Sequence, residues 1–171
     1  MGQFQTAQAS DIERIILNLS IDMAGIILCI LSLLVVSMFF SRKRQINRYF
    51  SLLFIMLGIY ALSNLIGLLL RGSPGPAVRA VLIVSNFLEY ALGGVLVYLV
   101  FRMILSLAGP EASGLPLVKL PVWLLSAHLL LVTVSQFTGL LYTIDAENVY
   151  HRAAGYPFGY VLPGFMMLLT V

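Results

Sequence analysis

The sequence is poor in charge and in cysteine. Only 10% of its 171 residues are charged, 60% are hydrophobic, and the mean hydropathy is +1.00. A soluble domain of this length cannot hide so much apolar surface, so lipid must be the solvent for most of the chain. The single cysteine, Cys29, excludes an intrachain disulfide and lies in the middle of the first apolar run, as a small hydrophobe would. Glycine-rich phosphate loops, HExxH, CxxC and nucleophile elbows are all missing, so nothing argues for an enzyme, a cofactor or a metal site. The formal net charge of +3 sits in short connectors between apolar runs, which argues against a nucleic-acid partner. The first residues lack a basic stretch followed by a short apolar one, so no cleaved signal peptide is expected. The first membrane helix is then its own targeting signal.

What is present is a series of long apolar runs. Hydropathy places spans at about 21–40, 49–70, 80–107, 121–141 and 158–171, with breaks rich in Gly and Pro around 71–79 and 109–116. The last run holds fourteen residues, which rise about 21 Å as a helix against roughly 30 Å of hydrocarbon. The expected fold is therefore an all-α polytopic membrane helical bundle with five hydrophobic segments, the fifth incomplete, forming one domain over 1–171 with no soluble output domain. Ahead of the first span, Ser10 and Glu13 have the spacing of a capping box, with Ser10 as N-cap of an amphipathic helix that leads into the membrane.

Basic residues set the expected orientation. Residues 42–48 carry four positive charges; if they are cytoplasmic, that side holds Arg42, Lys43, Arg44, Arg48, Arg102 and Lys119. The other side holds Arg14, Arg71, Arg79 and Arg152. An early dense cluster usually decides, so the N-terminus and residues 142–157 are expected outside. The 42–48 cluster also attracts anionic lipid.

Polar residues inside the spans are few, which makes each one informative. Glu89 is the one carboxylate deep within a span, and Ser85, Glu89 and Gly93 share its helix face. A charge there is costly and is expected to face the bundle with a partner. Asn64 and Gln136 reach a similar depth on other spans, and Asn86 lies beside Glu89, so Asn64, Ser85, Asn86, Glu89 and Gln136 form a candidate polar cluster. It reads equally as a ligand pocket or as a structural knot of hydrogen bonds worth about 1 kcal/mol or less each. His128 has no second His, Cys or carboxylate at ligand spacing, which favours a packed, hydrogen-bonded role. Arg102 is expected to snorkel.

The densest polar chemistry lies in residues 141–152, between two apolar blocks, where Tyr142, Asp145, Glu147, Asn148, Tyr150, His151 and Arg152 fall together. Read for recognition, this connector is a compact cover on the outer end of the bundle; read plainly, it is a solvated loop with a tyrosine anchor at each boundary. In the first reading Asp145 and Asn148 close turns on nearby amides. Arg152 is expected to pair with Asp145, in preference to Glu147 or Glu89. Tyr142 and Tyr150 are expected at the apolar boundary with hydroxyls toward water.

The string Tyr142-Thr-Ile-Asp145-Ala-Glu-Asn148-Val-Tyr150-His-Arg152, followed by Tyr156 and Pro157, resembles a loop of bacterial membrane-sensor proteins. The Phe87-Leu-Glu89-Tyr90 segment and the basic first inner loop fit the same pattern. Such proteins join a multi-helix input module, commonly of about seven spans, to a cytoplasmic histidine kinase, diguanylate cyclase or similar output. Members often carry glycine directly after the arginine, where this chain has Ala153-Ala154 before Gly155. The resemblance implies signal transduction at a bacterial inner membrane. The chain would be a sensor domain for an extracytoplasmic or membrane-borne signal, relayed to an output domain outside this chain. Its expected partners are the lipid bilayer, a small-molecule ligand and a second copy through its helices. The alternatives are a small transporter subunit using Glu89 and a structural partner of another membrane protein.

Overall fold

A computed structural model describes residues 2–39, 45–108 and 116–169, and their side chains except those of residues 2–12, 14, 116 and 117. Helix α1 spans Gly2–Phe39, α2 Gln45–Leu70 and α3 Pro76–Ala108. A 3-10 turn at Pro116–Lys119 leads into α4, Leu120–Thr138. Strands β1 (Tyr142–Ile144) and β2 (Tyr150–Arg152) precede α5, Phe158–Leu168. Four helices, Ile15–Phe39 within α1 and the whole of α2, α3 and α4, are long and apolar enough to cross a membrane. The chain is thus an all-α membrane bundle. The fifth helix has 11 residues and rises only about 16 Å.

Lipid as solvent explains which side chains face out. Phe39 on α1, Trp123 on α4 and Phe137 on α4 stand 74%, 71% and 87% exposed, surfaces that water would penalise and acyl chains accept. Helix α2 packs against both α1 and α3, and α3 also packs against α4 and α5. The interior core gathers where α3, α4 and the strands meet, around Tyr90, Ala91, Val132, Leu141 and Tyr142.

Ser10 does not cap a helix. The backbone of α1 is helical from Gly2 straight through Ser10, because nothing in residues 2–9 breaks a helix and the amides after Ser10 find carbonyls one turn back. The side chains of the expected capping box, apart from Glu13, lie outside the described residues, as do Arg42, Lys43 and Arg44.

The fourth helix stops at Thr138 rather than 141. Gly139 takes φ 65° and donates its N–H to the Ser135 carbonyl at 2.9 Å, a left-handed cap that glycine accepts without strain. The Ser135 hydroxyl accepts the Leu141 N–H at 2.9 Å, so the chain reverses immediately after the helix. This reversal produces an antiparallel hairpin that pairs Tyr142 with Arg152 and Ile144 with Tyr150. Two further bonds, Ala153 N–H to Leu141 O and Gly155 N–H to Leu140 O, both 3.1 Å, extend the pairing below the strands. A Cβ on Gly155 would stand 2.6 Å from the Leu140 carbonyl oxygen, which is why a glycine is needed at that crossing.

Candidate functional site

The hairpin is a fastened structure. At its tip the Asp145 carboxylate accepts the N–H groups of Glu147 (3.1 Å) and Val149 (2.8 Å) and contacts His151 Nε2 at 2.6 Å. The His151 bond, then the Val149 amide, hold the Asp145 carboxyl below the ordinary carboxylate range. Asn148 adopts φ 60°, a conformation asparagine tolerates better than most residues. Its Nδ2 donates to the carbonyls of Ser73 (2.8 Å) and Gly75 (3.3 Å), and its own carbonyl accepts Gly72 N–H at 3.0 Å. Arg79 donates to the carbonyls of Asp145 (2.9 Å) and Ile144 (3.2 Å). The hairpin is therefore clamped to the turn between α2 and α3 and to the first turn of α3.

Arg152 and Asp145 do not pair. They stand at opposite ends of the hairpin, and the Arg152 guanidinium lies over the Tyr156 ring, 4.4 Å from its centroid. Nor do Tyr142 and Tyr150 turn their hydroxyls to water. The Tyr142 hydroxyl exchanges hydrogen bonds with Gln136 at 2.7 and 3.0 Å, and the Tyr150 hydroxyl meets that of Tyr90 at 2.7 Å. Burial pushes the Tyr142 phenol up to about 12 and raises that of Tyr150, so both keep their protons at neutral pH.

Those bonds belong to a tyrosine stack that joins the hairpin to the helices. Tyr90 of α3 lies nearly parallel to Tyr142 at 5.2 Å, and Tyr142 in turn stacks on Tyr150 at 5.6 Å. Tyr156 and Tyr160 approach Tyr90 edge-on and tilted, at 6.3 and 6.2 Å. Beneath the stack, His128 Nε2 meets the Tyr90 carbonyl at 2.9 Å. A carbonyl only accepts, so Nε2 carries the hydrogen, and Nδ1 is buried with no hydrogen-bond partner among the described residues.

Below the hairpin lies a cavity of about 220 Å³. Asn64 and Arg71 line it from α2 and the turn beyond, Asn86 and Glu89 from α3, and Tyr150 and Arg152 from the hairpin. Asn18 of α1 and Tyr90, Tyr156 and Tyr160 complete its polar wall. A second cavity of about 180 Å³, lined mainly by Tyr60, Gly93, Val97, Gly159 and Pro163, shares Glu89, Tyr90 and Tyr160 with the first. Glu89 therefore stands at the junction of a polar chamber and a more apolar one. A larger groove of about 800 Å³ between α1 and α2 is lined chiefly by Ile, Leu and Val and has the character of a lipid-filled surface.

The structure brings Asn64, Asn86 and Glu89 to one chamber but takes Gln136 elsewhere. Gln136 is spent on Tyr142, because the reversal after Gly139 lays the hairpin back against α4. Ser85 is buried but lines a separate apolar recess with Ile59 and Ser63. Asn86 donates to the Leu82 carbonyl at 2.7 Å, within its own helix. Asn64 donates to both oxygens of Asp22 at 3.0 and 3.1 Å, fixing α1 to α2. Asp22, Asn18, Arg71, Tyr156 and Tyr160 were not marked as site residues by their spacing. They come from three separate stretches, helix α1, the turn after α2 and the segment that enters α5, and only the fold joins them.

Charge placement at the chamber is unusual. Among the described residues Glu89 makes no hydrogen bond or ion pair, although Arg71 and Arg152 line the same space. Each arginine instead rests on a tyrosine face, Arg71 at 5.4 Å from Tyr150 and Arg152 at 4.4 Å from Tyr156. At the far end of the bundle Arg102 donates to Tyr49 at 2.9 Å and to Tyr98 at 3.5 Å, tying α3 to α2. Among the described residues no three His, Cys, Asp or Glu side chains come together to hold a metal ion. No family model matches the chain, and neither the curated proteins nor the solved structures hold a match to it.

Proposed function

We propose that the chain is a membrane-embedded input module whose chamber beneath the hairpin takes up a small polar signal from the outer side of a bacterial inner membrane. The observation that carries this reading is the set of three charged side chains, Glu89, Arg71 and Arg152, that line one cavity and, among the described residues, form no ion pair or hydrogen bond. A carboxylate left unpaired at the depth of Glu89 is costly, and two exposed guanidinium groups that line the same cavity without pairing with it leave room for something else to lie between. Their three carriers are distinct: α3, the α2–α3 turn and the hairpin. A ligand touching all three favours the arrangement that brings them together, and it shifts the equilibrium only by that differential affinity.

The relay then runs along α3. Thirteen residues, about 20 Å of helix, separate Glu89 from Arg102. Arg102 holds Tyr49 of α2, so a small sliding of α3 on α2 at the chamber must be absorbed at that second contact. A cytoplasmic output domain would read the change there. The test is a pulsed electron-spin distance measurement between labels at Leu52 and Leu107 in a Cys29→Ala background. Glu89→Gln and Arg152→Gln, each removing one charge from the chamber, are expected to change the distance distribution at this far end. Identical distributions in the parent and both variants would refute the relay.

A further inference from the structure

We infer that the chamber recognises a small zwitterion, its cationic end against Glu89 and its anionic end between Arg71 and Arg152. This rests on the chamber being a ligand site, and adds the chemistry of the ligand.

The charges of the chamber are mixed and spatially separated. Arg71 comes from the turn after α2 and Arg152 from the hairpin, both exposed, while Glu89 lies further down α3 and also borders the deeper cavity. A plain anion drawn to the guanidinium groups would meet the Glu89 carboxylate lining the same space. A plain cation drawn to Glu89 would meet two guanidinium groups. Either single charge leaves the opposite pole uncompensated within the same small space. A molecule carrying both charges satisfies both poles.

The arginines are posed for an acid group. Each guanidinium carbon lies over a tyrosine ring, a contact that does not use up the fork of N–H groups. Neither Arg71 nor Arg152 donates to an acceptor among the described residues, so that fork is unused; carboxylates and phosphates fit it. At the other pole, Tyr90 and Tyr160 line both cavities beside Glu89, and their ring electrons favour an ammonium. Asp22, the nearest other carboxylate, is already occupied by Asn64, which leaves Glu89 as the cation-binding group.

Size narrows the class. At about 30 Å³ per water the 220 Å³ chamber holds about seven waters, so the ligand has on the order of ten non-hydrogen atoms. Amino-carboxylates fit, and so does the phosphoethanolamine headgroup of a lipid. Both present a primary ammonium and an oxyanion.

The experiment is thermal unfolding of the whole chain in phosphatidylglycerol nanodiscs, which contain no zwitterionic lipid. Probes are β-alanine, 4-aminobutyrate, 6-aminohexanoate and glycerophosphoethanolamine, with butyrate and butylammonium as single-charge controls. At least one zwitterion is expected to raise the unfolding midpoint in a saturable way, with both controls inert. Glu89→Gln and Arg152→Gln are each expected to weaken that binding at least about tenfold. An amino acid as the active probe identifies a free solute as the source; glycerophosphoethanolamine alone identifies a lipid headgroup. Butyrate stabilising as well as 4-aminobutyrate overturns the inference while leaving a ligand site in place. No shift with any probe also overturns it, and with an unchanged far-end distance in Glu89→Gln it removes the sensing function as well.

Discussion

Gly94→Ala should damage the bundle, although a glycine-to-alanine change inside a helix ordinarily helps. On propensity alone it stabilises by about 1 kcal/mol. Here the Cβ would meet the His128 ring, 2.9 Å from Nε2, 3.2 Å from Cγ and in direct conflict with Cδ2. His128 is fully buried and cannot swing into open space. Overpacking costs about 1–3 kcal/mol, and losing the bond to the Tyr90 carbonyl adds about 0.5–1.5 kcal/mol. Subtracting the propensity gain leaves a net loss of about 0.5–3.5 kcal/mol. The assay is reversible unfolding in mixed micelles, followed by far-UV circular dichroism. His128→Ala supplies the control, since it empties the space the new methyl needs. In that background Gly94→Ala should be neutral or stabilising, which gives a large non-additivity between the two sites. If Gly94→Ala stabilises the parent by about 1 kcal/mol, as propensity alone predicts, the ring does not sit where the account requires.

The hairpin clamp predicts that Asn148→Ala costs more than Asn148→Gly. Both lose the bonds to Ser73 and Gly75, about 1–2 kcal/mol together, but only glycine accepts φ 60° freely; unfolding midpoints compare them. Asp145 should give the hairpin a pH dependence. Its folded pKa is depressed, so its contribution is complete above the unfolded value of about 3.9 and is lost as pH falls through the lower folded value. Amide exchange of Glu147 and Val149 should thus be steady from neutral pH down to about 4 after correction for intrinsic rates, and rise in stronger acid; a loss of protection already near neutrality would contradict it. Asn64→Leu, which strips Asp22 of both its hydrogen bonds, should destabilise by about 1–3 kcal/mol and loosen α1 from α2 in a crosslinking assay. Single cysteines at Lys119 and Ala146 should label from opposite faces of the membrane, and labelling from the same face would overturn the orientation.

The spans were legible because lipid permits only backbone that satisfies itself, so long apolar runs such as 49–70 announce helices whatever their neighbours do. Helix ends were less legible. The stop at Thr138 turns on one glycine, Gly139, that hydropathy does not weigh. The hairpin escaped notice because each strand has three residues, too few for alternation to stand out. Its signal was present in Tyr142, Thr143 and Ile144 ahead of an Asp-to-Asn turn. The candidate cluster was half legible for the same reason. Asn64 and Glu89 announce themselves as polar residues in apolar runs, whereas Arg71, Tyr156 and Tyr160 read as boundary residues until the fold closes them over Glu89. Gln136 was misplaced because depth along a helix fixes height but not which neighbour arrives first.

Thiol access at position 89 tests the chamber most directly. In a Glu89→Cys, Cys29→Ala protein in sealed vesicles, the polar reagents sulfonatoethyl and trimethylammonioethyl methanethiosulfonate can be applied to either face. The account predicts reaction only from the face that labels Ala146→Cys. The anionic reagent should react faster, because removing the carboxylate leaves Arg71 and Arg152 to draw it in. A thiol that yields only to an apolar maleimide, or reacts from the opposite face, would mean that Glu89 looks into lipid or protein rather than into a water-reached chamber beneath the hairpin.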